Sequence, residues 1–220
     1  MSERVFSVIV LPTSDCNVAC DYCFERKEPH RLPAVLLPLL TRRLLDHLEN
    51  EHIEECEIYW QGGEAMIMGP AWFENAGEVM NRAATERGRQ FVHYLQTNLI
   101  GYSPAWNNVI RTMFNGSLGT SMDYPNLYRK LFKGGAAAYS ELWTRRLREA
   151  KAAGIAVGVI AVLHQGSLEA GPERFYRYFT EELGLSDFQV NTRFRVVPPK
   201  EVEGGFQIDS SVLADLLSLG

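Results

Sequence analysis

The sequence predicts an α/β fold, a partial (β/α)6 barrel built on a parallel sheet. Three observations point there. Six short apolar, β-branched runs alternate with segments whose apolar residues recur at helical spacing. Pro and Gly punctuate them, as with Pro70 near the start and Gly88 just past the end of one helical segment. Finally, the polar and glycine-rich stretches gather in the loops that follow the strands, which right-handed crossovers place on one edge of a parallel sheet.

Taken in order, Arg4 to Leu11 reads as the first strand, ended by Pro12, and a cysteine-containing loop follows. Pro33 to Glu51 carries leucines at helical spacing. Cys56 to Trp60 is a short strand closed by Gly62-Gly63, and Pro70 to Arg87 a helix. Phe91 to Gln96 is a strand, Pro104 to Thr112 a helix and Ser117 to Ser121 a strand. Tyr139 to Ala153 is a helix closed by Gly154, followed by the buried strand Ile155 to Leu163. Pro172 to Leu183 is a helix, Phe188 to Val197 the sixth strand, and Ser211 to Leu219 the start of another helix.

The chain has 220 residues, enough for one sizeable core, with 46% hydrophobic and 22% charged residues, the profile of a globular protein. A net charge of −5 gives a nucleic-acid partner no electrostatic support. No apolar run is long enough for a membrane helix, and Met1 to Arg4 lacks the features of a signal peptide, so a cytoplasmic protein with no membrane partner is expected.

Three of the four cysteines fall in the motif Cys16-Asn-Val-Ala-Cys20-Asp-Tyr-Cys23, spaced C-x3-C-x2-C, while Cys56 opens a strand and reads as a core thiol. Crowded intracellular thiols suit metal better than disulfides. A closed zinc site needs four ligands, and no fourth stands at a sensible distance. Three thiolates on a cubane iron–sulfur cluster leave one iron open, the position catalysis needs. The rival reading is a zinc knuckle, a non-catalytic metal-binding module.

The stretch from Leu11 to Phe24 resembles the radical S-adenosylmethionine enzymes, and most of all the branch of anaerobic sulfatase maturases and peptide-modifying enzymes with a C-terminal SPASM or twitch domain. Trp60-Gln-Gly-Gly-Glu64, Leu95-Gln-Thr-Asn98 and Ser121-Met-Asp123 resemble that branch's later strand-end motifs, with Ala65 where the family has proline and Tyr124 where it has glycine. The resemblance covers about Val5 to Val197. It implies a [4Fe–4S] cluster on Cys16, Cys20 and Cys23, in the loop after strand one, and S-adenosylmethionine as cosubstrate. Tyr22 would lie by the adenine, and Gly62, Gly63 and Glu64 would bind the methionine amino group. Asn98 and Ser121 would touch ribose or carboxylate. Arg129 would contact the carboxylate or stand as a solvated arginine. Leu163 would pack on adenine or serve as a core leucine. Asp123 is a candidate acid/base group. The histidines His47, His52 and His93 read as structural, and His164 follows strand five on the active edge.

The implied activity is reductive cleavage of S-adenosylmethionine to a 5′-deoxyadenosyl radical that removes hydrogen from a substrate. That substrate is a peptide or protein side chain, as for a peptide maturase, or alternatively a small-molecule intermediate. A flavodoxin- or ferredoxin-type electron donor is the expected redox partner. Residues 1–200 are expected to form the core domain and 201–220 the start of a C-terminal extension, so that these residues are not the whole functional unit.

Overall fold

The computed structural model describes residues 4–192. Six parallel strands lie in the order of the chain: β1 Val5–Thr13, β2 Glu55–Gly62, β3 Gln90–Thr97, β4 Ser117–Ser121, β5 Ala156–Leu163 and β6 Phe188–Thr192. The helices are α1 Leu37–Asn50, α2 Pro70–Glu86, α3 Asn107–Met113, α4 Gly135–Ala152, α5 Gln165–Ala170 and α6 Pro172–Arg177. Consecutive pairing with right-handed crossovers puts the helices on one face and curls the sheet into a half-barrel. The partial-barrel expectation is therefore met. The expected extension of the sixth strand to Val197 and the helix at Ser211 lie outside the described residues.

Boundaries shift where local chemistry allows. β1 runs through Pro12 to Thr13, because it is an edge strand: Pro12 has no N–H to lose there, and its carbonyl accepts from Leu32 N at 2.7 Å. The helix expected from Pro104 is a 3-10 turn over Pro104–Trp106 leading into α3. The one expected from Pro172 passes at Tyr178–Glu182 into a π-helical turn. The short α5 before it was not read in the sequence. His164 caps it, its Nδ1 accepting from Gly166 N at 3.1 Å while Nε2 bonds Pro125 O at 2.9 Å, so that residue is tied into the backbone.

Alternation along the strands separates two faces. Cys56, Ile58 and Trp60 of β2, and Phe91, His93 and Leu95 of β3, are buried against the helices. Trp60 meets Trp72 and Phe73 edge-on at 5.7 and 5.5 Å, and Phe73 reaches Trp106 and Phe114. Each such ring contributes about 2–3 kcal/mol by burial. Trp60 Nε1 donates to His93 Nδ1 at 3.0 Å, and His93 Nε2 then donates to Asn81 Oδ1 at 2.9 Å. Burial pulls His93 down to about 4, so it stays neutral and structural. Cys56 is wholly buried and its thiol is pushed up to about 12, the state of an inert core thiol. The opposite, concave face carries Ile9, Leu11, Tyr59 and Tyr94, all more than a third exposed.

No helix among the described residues is long and apolar enough to cross a membrane.

Candidate functional site

The loop after β1 leaves and returns to the same point, and its stem is stitched shut. Thr13 Oγ1 donates to His30 O at 2.7 Å, and Ser14 Oγ to Glu28 O at 2.9 Å. Its cysteine-bearing arc is held from across the sheet. Ala19 N donates to Lys130 O at 2.7 Å and Asp21 N to Tyr128 O at 3.0 Å, and Lys130 Nζ pairs with Asp21 Oδ2 at 2.5 Å. From within the loop, Lys27 Nζ donates to Val18 O at 2.5 Å.

The glycines after β2 are required by backbone approach. A Cβ on Gly63 would lie 2.2 Å from Asp15 O and 2.5 Å from Ser14 O, and Gly62 has φ +125°. Gly63 N donates to Thr13 O at 3.0 Å and Glu64 N to Asp15 O at 2.8 Å. The Gly-Gly pair thus lets the β2 loop dock on the base of the cysteine loop.

Glu64, only 2% exposed, is the hub of the next layer. Its Oε1 accepts from Met66 N at 2.9 Å and Thr97 Oγ1 at 2.6 Å, and its Oε2 from Asn98 N at 2.6 Å. Burial pushes its carboxyl up and the donors hold it down. Every neighbour is a donor, so the ionised form is the one the contacts satisfy. Asn98 Nδ2 donates to Asn17 Oδ1 at 2.7 Å and lies 3.9 Å from Cys16 Sγ. Gln96 Nε2 donates to Ser121 Oγ at 3.0 Å, joining β3 to β4.

Asp123 and Arg129 form a buried pair. Arg129 Nε lies 3.0 Å from Asp123 Oδ2, whose side chain is fully enclosed. Asp123 also accepts from Tyr22 OH at 2.5 Å and from Val162 N at 2.9 Å. Burial works against the Arg129 charge, but Asp123 holds it protonated, and the guanidinium sits 5.4 Å from the Tyr22 ring. Arg129 is thus a buried ion-pair member rather than a solvated arginine. Its two Nη atoms make no hydrogen bond among the described residues.

These elements enclose one cleft of about 510 Å³. Cys16, Cys20, Cys23, Tyr22, Gly62, Gly63, Glu64, Asn98, Ser121 and Arg129 all line it. That size lies within the usual range for small-molecule sites. Two expected residues are not on its wall. Leu163 ends β5, packed against the core, and Asp123 is enclosed behind Arg129, in the position of an anchor. Conversely, the sequence reading passed over Lys27, Gln61 and Gln96, which do line the cleft. For the two glutamines the signal was present: they continue the outward phase of β2 and β3, two residues beyond Tyr59 and Tyr94.

The three cysteines fit a thiolate-held iron–sulfur cluster in donor type and common placement, and Lys27 and Arg129 offset negative charge there. Burial pushes the Cys16 thiol up to about 11 and Cys20 also up, with Arg129 countering it at Cys20. Among the described residues no group of three or more His, Cys, Asp or Glu could hold a single metal ion; a cubane takes each thiolate on a separate iron, and the thiols would lose their protons on binding it.

Against known proteins, the chain matches native anSMEcpe with bound AdoMet at a TM-score of 0.73 and 24% identity, covering 93% of this chain and 55% of that one. The same protein with AdoMet and the Cp18Cys peptide matches at 0.72 and 24%. Streptococcus suis SuiB bound to its precursor peptide SuiA matches at 0.60 and 14%, over 98% of this chain and 46% of that one. The chain shares the fold of these AdoMet- and peptide-bound proteins. In sequence, the uncharacterized protein sll1766 of Synechocystis sp. is 27% identical over 184 residues, 79% of this chain and 44% of that protein. The chain therefore spans about half the length of the proteins it matches. No family model matches it.

Proposed function

We propose that this chain is the catalytic core of a radical S-adenosylmethionine enzyme acting on a peptide or protein side chain. The observation that carries the reading is convergence: the cysteine loop and the ends of β2, β3 and β4 meet on one cleft, and no one of these motifs builds it alone. Peptides bound in the solved anSMEcpe and SuiB structures favour that substrate class.

Cys16, Cys20 and Cys23 would hold a [4Fe–4S] cluster. The chemistry it supplies when bound is one electron from a flavodoxin- or ferredoxin-type donor, which splits S-adenosylmethionine into methionine and a 5′-deoxyadenosyl radical that removes hydrogen from substrate. The chain's own residues bind and orient. The free Nη atoms of Arg129 suit the cosubstrate carboxylate, bidentate and already aimed by Asp123. Gly62, Gly63 and Glu64 offer a concave, electronegative rim for the ammonium. Tyr22 and Asn98 border the same cleft, Asn98 being fixed by Asn17 and Tyr22 by Asp123. Ser121 holds the β3–β4 edge through Gln96.

The test is anaerobic reconstitution followed by incubation with S-adenosylmethionine and dithionite. Formation of 5′-deoxyadenosine by the wild type and not by Cys20→Ala is expected. A reconstituted protein that binds stoichiometric zinc, takes up no iron and forms no 5′-deoxyadenosine overturns the reading.

A further inference from the structure

The concave face carries a second built feature, below the cleft. Glu57 and Tyr59 of β2 and Tyr94 of β3 stand on it. Tyr59 and Tyr94 are register partners, and their rings stack with centroids 4.7 Å apart at 15°. Both stay open to solvent, at 36% and 38% exposure. Glu57 Oε2 accepts from Ser7 Oγ at 2.9 Å and Tyr59 OH at 3.0 Å, while Oε1 takes only a 3.4 Å bond from Tyr94 OH.

A carboxylate offers about four acceptor positions, so Oε1 keeps room for another donor. The three hydroxyls orient the charge without neutralising it. No Lys, Arg or His among the described residues pairs with Glu57 or with its neighbour Glu55. Burial and then Glu57 push the Tyr94 hydroxyl up, with Glu55 adding to it, so the phenol remains a donor. An oriented, unpaired carboxylate beside two stacked, exposed phenol rings is the complement of an organic cation: the charge meets Oε1 and the ring faces. Val5 and Ile9 of the neighbouring β1, 47% and 55% exposed on the same face, give the methylene stem of a long basic side chain an apolar bed.

We propose that Glu57, Tyr59 and Tyr94 form a subsite for a lysine or arginine side chain of the peptide substrate. The inference rests on the reading that this chain acts on a peptide. The subsite is continuous with the cleft, because Tyr59 and Tyr94 lie two residues before Gln61 and Gln96 in the same outward phase. At about 3.3 Å per residue, Glu57 lies ~13 Å down the strand from Gln61. A basic side chain spans roughly half of that, so it sits about two positions from the reacting residue of an extended peptide.

The test is equilibrium binding by fluorescence anisotropy, using the full chain and short labelled alanine–glycine peptides. One peptide carries a single central arginine, and its control carries citrulline, which has the same shape and no charge. The arginine peptide is expected to bind about tenfold more tightly, the combined worth of a cation–π contact and a partly exposed ion pair. Glu57→Gln, which is isosteric on an open face, should abolish that preference with an unchanged melting temperature, and Tyr94→Leu should reduce it independently. Equal affinity for the two peptides, binding of neither, or a preference that survives Glu57→Gln would each overturn the proposal. The assay needs neither iron nor turnover, so a chain that forms no 5′-deoxyadenosine overturns the proposed function without bearing on this result.

Discussion

Glu64→Gln separates a residue that holds the site together from one that only touches a ligand. The carboxylate is buried and accepts three donors, two of them at 2.6 Å. A glutamine oxygen can replace Oε1 opposite Met66 N and Thr97 Oγ1. Its amide must then face Asn98 N, donor against donor. The change removes one charge-assisted bond and strands a buried N–H, at about 2–4 kcal/mol. For a chain of this size each kcal/mol moves the melting temperature by about 2–4 °C, so a fall of roughly 4–16 °C is expected. Differential scanning fluorimetry of the apoprotein reads this, and calorimetric titration with S-adenosylmethionine after reconstitution should show weakened binding with iron content retained. A Glu64→Gln protein that melts with the wild type while binding is lost would refute the reasoning, since Glu64 would then act on the ligand alone.

Asp123→Asn leaves the nine-tenths buried Arg129 without its counter-charge and should cost about 3–5 kcal/mol in urea unfolding; a loss below about 1 kcal/mol would show that Arg129 has another partner. His93 takes its proton near 6.5 when unfolded and only near 4 when folded, so the unfolded chain binds more protons between those values. Stability should be full above about pH 6.5 and decline as pH falls toward 4, by at most ~3 kcal/mol, and His93→Gln should flatten that window in pH-dependent urea melts. Cys20→Ala should abolish iron loading by colorimetric assay whereas Cys56→Ala should leave it intact, because the Cys56 sulfur is sealed in the core.

Most of the fold was legible because the β-branched runs, the prolines at helix starts and the glycines past helix ends are local signals, and among the described residues they fell within a few residues of every strand and of each helix but α5. The cleft was legible through the strand-end motifs. What lay hidden depends on how the elements pack against one another. That Arg129 is buried follows from Asp123 and Tyr22, which no pattern around position 129 reveals. That Glu64 is spent on Thr97 and on the amides of Met66 and Asn98 depends on how β2 and β3 end beside each other. The close approach of Gly63 to the carbonyls of Ser14 and Asp15 likewise depends on how the β2 loop docks on the cysteine loop. The π-helical turn after α6 follows no spacing rule visible in its residues.

The bonds from Ala19 and Asp21 to the 128–130 segment span more than a hundred residues. While the chain leaves the ribosome, β1, β2 and β3 can pair as each appears, since every strand neighbours its predecessor. The arc bearing Cys20 has to wait: its backbone clasp, and the Asp21–Lys130 pair beside it, exist only after β4 has been made. Throughout that interval the arc is held only by bonds within the loop, from Thr13 to His30, Ser14 to Glu28 and Lys27 to Val18. The clasp needs β4 and the 128–130 segment but neither β5 nor β6, so synthesis order lets the cysteine loop take its final shape before the half-barrel is complete.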